Sequence, residues 1–161
     1  MPDMVWKPDV TVAAIAQRDG KFLFVEERAS GRIVINQPAG HLEDGETFLD
    51  AVVRETLEET AWGFEPRAIV GVYVWRPAHM NRTFLRVAFS GELLGHDSVR
   101  PLDHGILRTR WLSRGEMAEP RARLRSPLVL QCVDDYLAGA RFPLSLISHL
   151  IAAPASLAAS G

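Results

Sequence analysis

At 161 residues the chain fits one domain and is long enough to bury a core. A hydrophobic fraction of 47% beside 24% charged residues is ordinary for a globular protein, and a formal net charge of −2 lacks the basic excess expected of nucleic-acid or anionic-membrane binders. The single cysteine, Cys132, excludes an intrachain disulfide. Met1–Val10 has no basic start followed by an apolar core, and no apolar run approaches membrane-spanning length. A cytoplasmic protein is expected.

Val10–Ala16 is β-branched and apolar, and Asp19-Gly20 after it is a hairpin signal that returns the chain through Phe22–Glu26. Arg32–Asn36 is a further short β-prone run, closed by the breaker Pro38-Ala39-Gly40. From Thr47 to about Thr60 the pattern turns helical, with Leu49, Val52, Val53, Thr56 and Leu57 forming a mostly apolar stripe. Thr47 is the expected N-cap, with Asp50 placed as in a capping box. Ala68–Trp75, Thr83–Phe89 and Thr109–Leu112 are expected strands, and Ser113–Glu119 a short capped helix. Ser126-Pro127 opens a second long helix with its body at Leu128–Ala138. Pro143–Ile151 is expected to add a last helical turn or two. The Ala/Ser-rich stretch 152–161 is expected to be disordered. The sum is a mixed α/β domain spanning residues 5–151, with no repeat and no dividing linker.

The chemistry lies between Gly40 and Glu59. On a helix Glu55, Glu58 and Glu59 sit at i, i+3 and i+4, so three like charges crowd one face within a turn. A helix selected only for stability avoids that repulsion, which a divalent cation lying between the carboxylates removes. Hard oxygen donors suit Mg²⁺, which completes its shell with waters and substrate phosphates. Arg54, on a neighbouring face, is placed to hold a carboxylate by a bidentate contact, and Glu46 stands near the favourable end of the helix dipole. Gly40 and Gly45 allow tight turns before the helix, where a backbone carbonyl is available to a metal. Water activated by a metal and attacking phosphorus is the matching chemistry. The bland alternative is a solvated acidic face paired with basic residues.

This segment resembles the Nudix box. Gly40, Glu46, Arg54, Glu55, Glu58 and Glu59 stand on its fixed positions. Three positions depart: Thr56 and Trp62 replace aliphatic residues, and Ala61 replaces the glycine that closes the helix, a role Gly63 is placed to take over. The resemblance implies an α/β/α sandwich with a mixed central sheet and a loop–helix–loop catalytic motif. It implies Mg²⁺, with Mn²⁺ as a substitute, and hydrolysis of phosphoanhydride bonds. Carried over by position, Glu58 and Glu59 are the main metal ligands and Glu55 is a ligand or the base. Arg54 positions them, and Gly40 offers its carbonyl. Similarity to the NudJ phosphatase subgroup extends further, through Lys7–Ala13, Asn36–Glu43, Leu124–Val129 and Gly139–Leu144. That subgroup implies release of phosphate from nucleoside tri- and diphosphates and from hydroxymethylpyrimidine pyrophosphate.

Outside the box, Asp103 is the candidate for a further acidic group, and His41, next to Gly40, for a phosphate contact. Trp75 and Arg76 are candidates for stacking on a ring and for meeting phosphate, as are their loop neighbours His79 and Arg82. Asn36 and Gln37 either face substrate or form a turn. Arg123 and Arg125 flank Ser126, whose helix N-terminus suits an anion. Trp111 and Cys132 are expected in the core. Two other readings stand beside the phosphatase: a family member cleaving sugar nucleotides, dinucleoside polyphosphates or oxidised nucleotides, and a non-catalytic nucleotide-binding module. A small-molecule partner is expected rather than nucleic acid or membrane, in a monomer or homodimer.

Overall fold

The structure is a computed structural model, and it describes residues 3–119 and 122–152. Two four-stranded sheets form its frame. The first runs β5 (Ala39–His41), β1 (Asp9–Ile15), β7 (Phe84–His96), β6 (Trp62–Trp75), and it is mixed. β1 pairs parallel to β7 from Asp9↔Phe84 to Ile15↔Ser90, while β5–β1 and β6–β7 are antiparallel. In the second sheet β3 (Lys21–Ala29) is central, with β8 (Ile106–Leu112) along one edge. Along the other edge lie β2 (Gln17–Arg18) and β4 (Arg32–Asn36). These strands pair with one another antiparallel throughout.

Helices cover both faces of the mixed sheet, because β1 is apolar on both. Its Val12 and Ala14 pack with Ala51 and Val52 of α1 (Phe48–Thr60). The alternate residues, Ala13 and Ile15, pack with Val129, Cys132 and Val133 of α3 (Pro127–Leu137). Period-two alternation thus sends one strand's side chains into two cores, the sandwich expected from the sequence. A four-residue helix, α2 (Arg114–Met117), carries a full capping box from Ser113 to Glu116.

Several boundaries differ from the sequence expectation. Pro38-Ala39-Gly40 has the composition of a breaker, yet Ala39–His41 is a short strand on the open edge of β1. The proline precedes the strand, where its missing N–H interrupts no ladder. The β6–β7 hairpin runs well beyond the expected segments, through the polar residues Glu65, Arg67 and Glu92. β6 is an edge strand and absorbs Pro66 beside register shifts, so neither polarity nor proline ends it. Within Pro143–Ile151 only Leu144–Leu146 is helical, as a single 3-10 turn. Ala61 itself, at φ +61°, makes the left-handed exit of α1 and donates its N–H to the Leu57 carbonyl. Gly63 lies within β6 instead. The expected disordered stretch falls, from residue 153 onward, outside the described residues.

Candidate active site

The site forms where α1 runs beneath β5. Thr47 caps α1 by accepting the Asp50 N–H at 3.0 Å, which fixes the helix start and hence the rotation of its carboxylate face. Arg54 is the hub of that face. Its Nε donates to Glu46 Oε2 at 3.1 Å and its Nη2 to Glu46 Oε1 at 2.7 Å, a bidentate clasp. Its Nη1 donates to Glu55 Oε1 at 2.8 Å and Glu58 Oε2 at 3.2 Å, and Nη2 also reaches the His41 carbonyl at 3.0 Å. One guanidinium therefore joins the loop before the helix to two of the three crowded glutamates. This clasp holds the Glu46 carboxyl below the usual range.

Glu55 and Glu59 are buried acids, 9% and 6% exposed. Burial raises the affinity of Glu55 for a proton, against the pull of Arg54. Glu59 is pushed up to about 9, chiefly by burial and further by the charges of Glu55 and Glu27. Its Oε2 accepts the Ala39 N–H at 3.3 Å, which ties α1 to β5. Gly40 is required by close approach. A Cβ there would lie 2.1 Å from the Glu55 carboxyl carbon, so only glycine lets β5 rest on that carboxylate.

Among the described residues no three His, Cys, Asp or Glu side chains converge as a ready metal cage. The reason is local: Arg54 draws Glu55 and Glu58 toward itself while Glu59 turns to the Ala39 N–H. Each carboxylate uses one oxygen in these bonds. The donor set is all hard oxygen, which fits Mg²⁺.

The remaining candidates separate. Asp103 is adjacent: its N–H donates to the Glu58 carbonyl at 2.9 Å, and its charge adds to the proton affinity of Glu55 and Glu59. His41 projects from β5, its Nε2 3.4 Å from Asp9 Oδ1. Both His41 and Trp75 line a 150 Å³ cavity beside Gly40. Arg76 does not line it; its guanidinium turns to Asn81 at 2.7 Å in the β6–β7 turn region. His79 lies in that same region, and Arg82 pairs with Asp9 at 3.0 Å. Ser126 spends its hydroxyl on the Leu128 N–H, and Arg125 pairs with Glu27. Asn36 lines the cavity, whereas Gln37 is buried behind it and donates to the Val129 carbonyl at 2.7 Å. Trp111 is partly buried against the α1-side core, and Cys132 is fully buried.

Two residues of the site escaped sequence reasoning. Glu27 on β3 comes close enough to Glu59 to raise its proton affinity. Arg86 on β7 is buried in the cavity floor. A lone arginine inside the apolar run from Leu85 to Phe89 was the available signal for the second. Nothing local marks Glu27.

The loop–helix–loop with its arginine-held carboxylates, set against a mixed sheet, defines a Nudix-type site. Residues 6–131 match the NUDIX domain model, and the chain belongs to that family: it is a Nudix hydrolase. It is 41% identical over 143 residues to the curated Phosphatase NudJ of Escherichia coli (strain K12), covering 89% of this chain and 92% of that one. The Shigella flexneri Phosphatase NudJ matches to the same extent. A solved NUDIX hydrolase from Nitrosomonas europaea superposes with a TM-score of 0.88 at 46% identity, covering 91% of this chain and 100% of that one. A UDP-X diphosphatase structure shares the fold alone, with a TM-score of 0.69 at 17% identity over 88% of this chain and 69% of its own.

Proposed function

We propose that the protein is a Mg²⁺-dependent phosphatase that removes terminal phosphate from nucleoside tri- and diphosphates and from small pyrophosphates such as hydroxymethylpyrimidine pyrophosphate. The observation that carries this reading is the Arg54-organised cluster of Glu55, Glu58 and Glu59 against Gly40, in a chain so similar to Phosphatase NudJ along its length. In this reading Glu58 and Glu59 are the main ligands, with the Gly40 carbonyl beside them, and Mn²⁺ can substitute. When bound, the cation neutralises phosphate charge and makes water a stronger nucleophile. Glu55 either joins the ligands or takes the proton from water; its buried carboxyl has a raised proton affinity that suits a base. Arg54 holds the set in place, while His41 and Asp103 stand at its rim. Trp75 lines the cavity beside Gly40 as a ring contact, and Arg76 has no part in it. The working unit spans residues 5–151 in a cytoplasmic protein.

The test is phosphate and pyrophosphate release from a panel of substrates, with Mg²⁺ and with chelator. The panel holds nucleoside tri- and diphosphates, hydroxymethylpyrimidine pyrophosphate, ADP-ribose and a dinucleoside polyphosphate. Metal-dependent phosphate from the first three is expected, and Glu58→Gln should lower it by about three orders of magnitude or more, a loss of roughly 4 kcal/mol in transition-state stabilisation. Activity confined to ADP-ribose or the dinucleoside compound would overturn the phosphatase reading while keeping the metal helix. Near-normal turnover by Glu58→Gln would remove Glu58 from the ligands.

A further inference from the structure

Arg86 is 6% exposed and lies in the middle of the mixed sheet, between Thr11 of β1 and Tyr73 of β6. A buried guanidinium ordinarily faces a carboxylate, because removing the charge from water is costly unless it is compensated. No carboxylate lies within ion-pair distance of Arg86 among the described residues. Its Nη1 donates to Gln37 Oε1 at 2.9 Å and its Nη2 to Asn36 Oδ1 at 3.1 Å, both neutral amides. The Cys132 thiol beside it is kept protonated by burial, so it supplies no charge. Among the described residues the buried Arg86 Nε has no nitrogen or oxygen hydrogen-bond partner, and the neutral Cys132 thiol is the other polar neighbour of this side chain.

The Arg86 side chain also lines a slot. Register puts Phe84 and Trp75 opposite each other one row along the same sheet face, and their rings stack with centroids 5.7 Å apart at 27°. Asn36 and Leu128 close the slot, and Gly40 and His41 connect it to the carboxylates. Its volume is 150 Å³, half of the roughly 300 Å³ at which pockets for whole drug-sized ligands begin. That space admits one flat ring and leaves a sugar and phosphates outside, toward Gly40.

We infer that Arg86 is a specificity residue: it donates to a carbonyl or ring-nitrogen acceptor on a planar heterocycle held against Trp75 and Phe84. Asn36 and Gln37 orient the guanidinium, their amide oxygens fixing its plane. An acceptor completes the hydrogen bonding of Arg86, and a ring lacking one leaves the donor buried and unpaired, which is how a polar site rejects the wrong ligand. The inference rests on the phosphatase reading only in placing phosphates at the carboxylate end.

Binding of two monophosphates, which hold no anhydride to cleave, tests it in the presence of Mg²⁺. Uridine monophosphate carries ring carbonyls; ribose 5-phosphate has the same sugar phosphate and no ring. Calorimetry on the unaltered protein should show uridine monophosphate binding at least tenfold more tightly. Arg86→Met and, separately, the more exposed Trp75→Ala should each remove most of that preference while leaving ribose 5-phosphate affinity within about twofold. Equal affinity for the two probes in the unaltered protein would overturn the inference. So would a preference that survives both substitutions, or an equal loss for both probes, which would make Arg86 a phosphate holder. If Arg86→Met does not fold, as thermal melting will show, Trp75→Ala decides alone. No ring preference in the unaltered protein with phosphate release intact defeats this inference only, and a ring preference without phosphate release defeats only the proposed reaction.

Discussion

Arg54 shows how little room the site leaves for substitution. Its donors are divided among Glu46, Glu55, Glu58 and the His41 carbonyl, a division that a lysine's single ammonium cannot reproduce. Gly40 is constrained differently. The atoms a new Cβ would meet belong to the end of a flexible side chain, so Gly40→Ala is expected to fold and to displace the Glu55 carboxylate. Its kcat should fall by about tenfold or more while its melting temperature changes little, measured by phosphate release and thermal melting. A variant that melts early in proportion to its lost activity would instead mark Gly40 as a fold residue.

At the scale of elements, α1 is set by its two ends. Thr47→Ala removes the hydroxyl that accepts the Asp50 N–H and should destabilise the protein by about 1 kcal/mol in chemical denaturation. An unchanged midpoint would show that packing against β1 and β6 fixes the helix without its cap. At the other end Ala61 holds a left-handed conformation that costs an L-residue roughly 1–2 kcal/mol. Its buried methyl offsets about 0.8 kcal/mol of that, and alanine also has less freedom to lose on folding than glycine, by about 0.4–1 kcal/mol. These terms nearly cancel, which explains how an alanine stands where the Nudix box has glycine.

Across the whole molecule, the carboxylate cluster links stability to pH and to metal. Glu59 rises from an ordinary 4.5 to about 9 on folding, so between those values the folded state holds a proton that the unfolded state has released. The contribution of Glu59 is therefore fully present below about pH 4.5 and is lost as pH rises toward 9. Thermal melts in chelator should show this decline over pH 5–9, and Glu59→Gln should flatten it. A slope the same in both proteins would assign the decline to other groups. A cation bound among the ionised carboxylates acts in the opposite sense, so saturating Mg²⁺ should raise the melting temperature most at the alkaline end.

Chain-local chemistry was legible in the sequence. The spacing of Glu55, Glu58 and Glu59, the Thr47 cap, the short capped helix at Ser113 and the Ser126-Pro127 helix start all depend on neighbours within about one helical turn, so reading along the chain finds them. Tertiary structure decided what depends on residues far apart in sequence. It made Ala39–His41 a strand, because β1 offered an unpaired edge, and carried β6 and β7 through polar residues, because pairing does not require apolar side chains on an exposed face. It brought Glu27 to Glu59 and placed Arg86 behind Asn36 and Gln37, while turning Arg76 away to Asn81. Burial and charge are properties of the assembled neighbourhood, and only folding tells an arginine that is solvated from one that waits for an acceptor.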